Sequence, residues 1–195
     1  MNDFSELVDL ASERLGGRVL LANDEFFAPK ENLLKTSKPV FSEDKYTDRG
    51  KWMDGWETRR RRSPGCDWCI VQLGIPGILR STLVDTSFFR GNYPERASLE
   101  ACAIEGEFPP DPDAAEWTEV LRESSLKGDS QNTFEIADPH RYTHLRFKIY
   151  PDGGVARLRV YGEALPHWSN VLAQGQCIDL AAVENGGRVV ACNAA

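Results

Sequence analysis

The chain has little of what marks a secreted, membrane-bound or nucleic-acid-binding protein. Its five cysteines, Cys66, Cys69, Cys102, Cys177 and Cys192, are odd in number in a chain of 195 residues. No disulfide framework is expected, and a reducing, cytoplasmic location is the default. The opening stretch MNDFSELVDLASERLGG has early acids and no long apolar run, so neither a signal peptide nor a membrane span is expected there. An excess of basic residues is missing too: 23 Lys and Arg stand against 30 Asp and Glu, a formal net charge of -7. That balance excludes a general electrostatic footprint for nucleic acid and leaves room only for a local anion site. No GxSxG elbow, P-loop or GxGxxG in a strand–helix context occurs, and nothing marks a nucleophilic triad. What is present is a globular composition, 41% apolar and 27% charged, enough for one domain of ordinary size with an extra piece.

Helix signals are also few. Leu7, Leu10, Ala11 and Leu15 fall at roughly helical spacing before Gly16-Gly17, which predicts a short helix over residues 3–15. A strand is expected at 18–23. Residues 24–55 then read as a long polar and aromatic loop, either functional or packed against a partner lobe. Short strands are expected at 66–73, 79–87, 97–104, 117–121, 132–136, 143–150 and 155–162. In THLRFKIY, Leu145, Phe147 and Ile149 alternate with Arg146, Lys148 and Tyr150, and a PDGG turn joins it to the next strand. The acidic, proline-rich segment 106–116 reads as a solvated surface loop. Many short strands between Gly, Pro and Asp turns indicate an all-β protein, an antiparallel jelly-roll sandwich.

The run DGWETRRRR, residues 54–62, is the most unusual stretch. As a strand it would put Trp56, Thr58, Arg60 and Arg62 on one face and Glu57, Arg59 and Arg61 on the other. The arginines then form no single basic stripe. A charged edge strand is one reading; an arginine oriented by a neighbouring carboxylate, ready to grip a carboxylate ligand bidentately, is the other. In VDTSFFRGNYPER, residues 84–96, Asp85 and Thr86 end a strand and Gly91-Asn92 makes a turn; the three polar residues either shape that strand end and turn or reach a ligand from a loop at the sheet edge. CDWC has CxxC spacing but no second metal-binding pair, and residues three apart on a strand point to opposite faces. His140 and His144 run into a strand, so their spacing does not suit a metal, and surface positions are expected for both.

A repeat spans the chain. DLASERLGGRVLLANDE begins at Asp9 and DLAAVENGGRVVACNAA at Asp179; aligned without gaps they share Asp-Leu-Ala, Gly-Gly-Arg-Val and an Asn. The offset of about 170 residues is a whole domain, not a solenoid repeat. The expected organisation is therefore a lobe over residues 1–162, a linker over 163–176, and the opening of a second lobe over 177–195.

Taken together, DLASERLGG, NDEFFAPKENLL, YTDRGKWMDGWETRRRR, DWCIVQLG, VDTSFFRGNYP and HRYTHLRFKIYPDGGVARLRVYGE resemble the allantoicase family along essentially the whole chain. The YPDGGVARLRVYG piece is similar to that of discoidin-like, galactose-binding-type jelly rolls. The resemblance implies two tandem lobes and hydrolysis of allantoate to ureidoglycolate and urea, in purine breakdown. This chain ends where the family continues for another lobe, so the activity of the single lobe stays open. Within the resemblance, Asp54 and Glu57 are the acid/base candidates. Arg60 and Arg61 are the anion clamps, with Arg59 or Arg62 structural, and Asp85, Thr86 and Asn92 are further substrate contacts. No metal or other cofactor is expected. The partners implied are allantoate and a second lobe or further copies of the chain; nucleic acid and membrane are not among them. A non-catalytic, discoidin-like module binding a carbohydrate or other small ligand is the competing reading, and a lobe that only supports a catalytic partner lobe is the third.

Overall fold

The structure, a computed structural model, describes residues 7–168, 172, 177–187, 189 and 191. Along the chain run β1 (Val8–Asp9), β2 (Arg18–Ala22), β3 (Tyr46–Thr47), β4 (Gly50–Lys51), β5 (Trp56–Glu57) and β6 (Asp67–Asp85). They are followed by β7 (Arg96–Cys102), β8 (Thr118–Ser125), β9 (Gln131–Glu135), β10 (Arg141–Tyr150), β11 (Gly154–Val155) and β12 (Arg157–Ala164). All pairings among them are antiparallel. The chain is an all-β jelly-roll sandwich.

β6 organises the fold. It is 19 residues long and fuses two strands expected at 66–73 and 79–87. The intervening Gly74-Ile75-Pro76-Gly77 does not break it, because the Leu10 carbonyl accepts from both Gly74 N–H (2.8 Å) and Ile75 N–H (3.3 Å). The first half of β6 lies between β2 and β10, and the second half between β12 and β9. Its burial alternates along most of its length, as a strand with one core-facing side requires. The main core contains Leu10, Trp56, Val71, Leu79, Leu99, Leu145, Phe147 and Leu158, and a smaller cluster joins Met53, Phe89 and Ala156.

The helix expected over 3–15 is not found in its described part. Val8 and Asp9 pair with Gly162 and Tyr161, Leu10 N–H bonds to Val160 C=O, and only Glu13–Leu15 form a 3-10 turn, closed by Gly16. Sheet pairing to β12 overrides a local period of only four apolar residues. Part of residues 24–55 packs on its own lobe: the 3-10 turn Lys30–Leu34 buries Leu33 and Leu34, whereas 41–50 is almost wholly exposed, with a β3–β4 hairpin there. His144 also departs from expectation. It is buried, 2% exposed, on the β10 face it shares with Arg146 and Lys148, because Phe108 of the 106–116 segment packs over its ring there.

The repeated sequence has a repeated shape. Val183–Asn185 form a 3-10 turn closed by Gly186 at φ 85°, matching Glu13–Leu15 and Gly16 at φ 92°. Asp9 Oδ1 accepts from Ala11 N–H, and Asp179 Oδ1 from Ala181 N–H. Half of the expected linker, and most of the segment 188–195, lies outside the described residues.

Candidate functional site

The short strand β5 sits between two backbone partners. Glu57 N–H donates to Ala28 C=O (3.1 Å) on one side, and β11 pairs with β5 on the other, Gly154 opposite Glu57. Trp56 anchors the strand: it is fully buried, and its indole N–H donates to Asp24 C=O at 2.8 Å. The neighbouring turn brings in Asn92, whose carbonyl accepts from Gly154 N–H at 2.7 Å. Both glycines here are required. Gly153 has φ 138°, and a Cβ on Gly154 would lie 1.9 Å from the Phe89 ring.

The result is a direct contact between the two motifs. Asn92 Nδ2 donates to Glu57 Oε1 at 2.6 Å. Both line a cleft of about 330 Å³, together with Phe27, Arg60, Tyr93, Glu95 and Asp152. That is the scale of a small-molecule site. Burial pushes the Glu57 carboxyl above its ordinary value, and the Asn92 hydrogen bond partly opposes this. Arg60 is exposed and makes no hydrogen bond or ion pair with any described residue. The cleft therefore combines an unspent guanidinium, a carboxyl group whose pKa burial raises and an amide that orients it.

Residues 8–165 match the family model for the allantoicase repeat. The probable allantoicase 2 of Burkholderia mallei is 48% identical over 186 residues, which is 95% of this chain and 54% of the relative. The chain belongs to the allantoicase family. The crystal structure of allantoicase from Saccharomyces cerevisiae superposes with a TM-score of 0.77 at 35% identity, covering 93% of this chain and 54% of that one. The chain thus spans about half the length of the allantoicases it matches. A family 32 carbohydrate-binding module, CBM32-3 from a Clostridium perfringens glycoside hydrolase, shares the fold, with a TM-score of 0.57 at 14% identity over 82% of this chain and 96% of its own.

Within this allantoicase repeat the arginine run is not a strand beyond Glu57. Thr58 N–H still bonds to Gly153 C=O, but Arg59 N–H goes to Asp24 Oδ1 (3.0 Å) and Arg61 N–H to Asp152 Oδ2 (2.8 Å). Side-chain carboxylates replace the ladder, so the expected alternation ends: Trp56 and Thr58 are buried, while Arg60 and Arg62 are exposed. Arg59 is paired with Asp24 and lies over Phe26. Arg61 is paired with Asp67 at 2.6 Å and does not line the Glu57 cleft; it lines an adjoining cleft of about 250 Å³, which Arg60 also lines.

Three further expected site residues also lie elsewhere. Asp54 is buried, with Oδ2 on Arg157 (2.7 Å) and Oδ1 near Lys35 (3.5 Å). Burial alone would raise its pKa, but the hydrogen bonds from Arg157 and Val40 N–H and the two cations outweigh that and hold it low. It lines no part of the Glu57 cleft, so sharing the proton chemistry does not fit its place. Thr86 is fully buried, and its hydroxyl bonds to the carbonyls of Lys127 and Ser130, which holds that loop. Asp85 Oδ1 accepts from Ser87 N–H and faces a different cleft, with Arg157 and Tyr161. Direct contact of Asp85 or Thr86 with a ligand in the Glu57 cleft is therefore not favoured. Phe27, Tyr93 and Asp152 were missed; Asp152 carried a visible signal, as the acid of the PDGG turn beside the site.

Proposed function

We propose that this chain carries an allantoate-binding and hydrolysing site in the Glu57 cleft. The observation that carries the reading is the Glu57–Asn92 contact beside the unpaired Arg60. Allantoate is a small anion with one carboxylate and two ureido groups. Arg60 holds the carboxylate, and its planar fork suits that geometry. Glu57 transfers the proton: the bond from the central carbon to one ureido nitrogen breaks, that nitrogen takes a proton and leaves as urea, and water oxygen adds to the carbon to give ureidoglycolate. Asn92 acts on Glu57 rather than on substrate. The lobe expected over residues 1–162 runs on to the end of β12 at Ala164, a linker follows to residue 176, and 177–195 open a second lobe; the matching turns at Gly16 and Gly186 support this. The second lobe, or further copies of the chain, complete the working assembly. A cytoplasmic location belongs to the same proposal, supported by the free thiols of Cys66, Cys69, Cys102 and Cys177.

The test is urea release from allantoate, measured on this chain and on a form extended by the second lobe. Glu57→Gln is expected to lower kcat by about 10²–10⁴-fold, and Arg60→Ala to raise KM. Full-rate urea release by Glu57→Gln in the active form overturns the assignment of Glu57.

A further inference from the structure

Arg60 is one of four consecutive arginines, yet it alone lines both the Glu57 cleft and the adjoining one while making no ion pair with a described residue. Its neighbours are held at four points. Asp24 takes Arg59 by its main-chain N–H (3.0 Å) and by Nε (2.6 Å). Asp152 takes the main-chain N–H of Arg61 (2.8 Å), and Asp67 takes Arg61 Nη1 (2.6 Å). Asp67 is itself fixed: it is 2% exposed, its Oδ1 also accepts from Asn23 Nδ2 at 3.0 Å, and Asn23 Oδ1 accepts from Trp68 N–H at 2.7 Å. Asn23 and Asp24 directly follow β2, so the clamps are tied to the sheet.

We propose that Asp24 and Asp67 are positioning residues that brace Arg59 and Arg61, so that the Arg60 guanidinium is presented at the cleft without an internal partner. The proposal rests on the reading of that cleft as the allantoate site. The physical need is clear. Beyond Thr58 the segment has no ladder, and a four-arginine loop left free would lose backbone and side-chain freedom on gripping an anion. Holding the residues on both sides of Arg60 removes that freedom beforehand and lowers the cost of binding. The bonds used are charge-assisted, about twice the strength of neutral ones. They also pair the two flanking arginines, and Arg62 lines neither cleft, so an anion there meets one directed guanidinium instead of three competing ones. The two clamps are unequal. Arg59 is 64% exposed and its pair is weakened by solvent, whereas Arg61 and Asp67 are 25% and 2% exposed.

The experiment uses Asp24→Asn and Asp67→Asn in the full chain, and in the extended form if only that is active. KM and kcat for urea release are measured together with the rate at which phenylglyoxal modifies each arginine, with and without allantoate. Each variant is expected to raise KM by about tenfold, as misplacement of a substrate-holding group does, while kcat changes little. In the parent, allantoate protects Arg60; in the variants that protection is lost, while Arg59 in Asp24→Asn and Arg61 in Asp67→Asn become reactive. An unchanged KM with Arg60 still protected overturns the proposal, whatever happens to thermal stability. Should Asp67→Asn fail to fold, Asp24→Asn, at the more exposed clamp, decides. If the parent neither releases urea nor shows protection, the allantoate reading fails separately. The brace then stands or falls on whether Arg59 and Arg61 are slow to react in the parent and fast in the variants.

Discussion

At the scale of single residues, the informative pair is Glu57 and Asn92. Burial raises the Glu57 pKa, and the 2.6 Å hydrogen bond from Asn92 favours the charged form and pulls it back down. Removing that bond leaves the burial unopposed. Asn92→Leu is therefore expected to move the Glu57-controlled limb of the kcat/KM profile to higher pH. The direction is the same whether Glu57 gives or takes the proton, because both follow its titration. A pH profile of urea release checks this; a limb that stays in place or moves to lower pH contradicts it. The sequence had put Asn92 beside substrate. Its motif was visible, but its partner was not, since 35 residues separate it from Glu57 and only the fold brings them together.

At the scale of elements, the buried ion pair of Asp54 and Arg157 joins the loop before β5 to the start of β12. Arg157 is 1% exposed and also donates to the carbonyls of Ser37, Asp54 and Ala156. Arg157→Met is expected to cost about 3–5 kcal/mol, because Asp54 is left buried with little compensation. Equilibrium denaturation measures it. The pH dependence has a defined sign: with a folded pKa below 3.8, Asp54 contributes fully above pH 3.8, and that contribution is lost as pH falls below it. Within the family resemblance, Asp54 had been assigned to chemistry as a carboxylate of the DGWETRRRR run. The sequence could not show that Arg157, 103 residues away, takes its carboxylate. Strand positions were far more legible than partners. THLRFKIY and VARLRVYG alternate as β10 and β12 do, since period-two burial is written locally. β6 was cut in two because Gly-Ile-Pro-Gly is a local break signal, and the Leu10 carbonyl that satisfies it lies far away in sequence. The arginine run failed as a strand for the same reason: its hydrogen bonds go to Asp24 and Asp152, which no alternation rule anticipates.

At the scale of the whole molecule, the repeat gives the sharpest contrast. Leu10 and Leu180 hold the same place in the same turn, after Asp9 and Asp179, yet Leu10 is fully buried and Leu180 is 70% exposed. Val19 and Val189, also equivalent, are 7% and 79% exposed. In the first copy, the Leu10 carbonyl serves β6 and its side chain fills the core between β6 and β12. The second copy has the same turn without such a sheet beneath it among the described residues. On the proposed two-lobe organisation, a second core would cover Leu180 as the first covers Leu10. Leu10→Asp should therefore lower the stability of this chain by more than about 3 kcal/mol, through lost packing and a buried unpaired carboxyl. Leu180→Asp should change it by less than about 0.5 kcal/mol, as exposed substitutions do. In a form extended by the second lobe the difference should vanish: Leu180→Asp should destabilise that lobe as severely as Leu10→Asp destabilises the first. Calorimetry of the four proteins distinguishes the outcomes. A Leu180→Asp variant of the extended form that unfolds like its parent would show that the repeated turn does not open a second jelly roll.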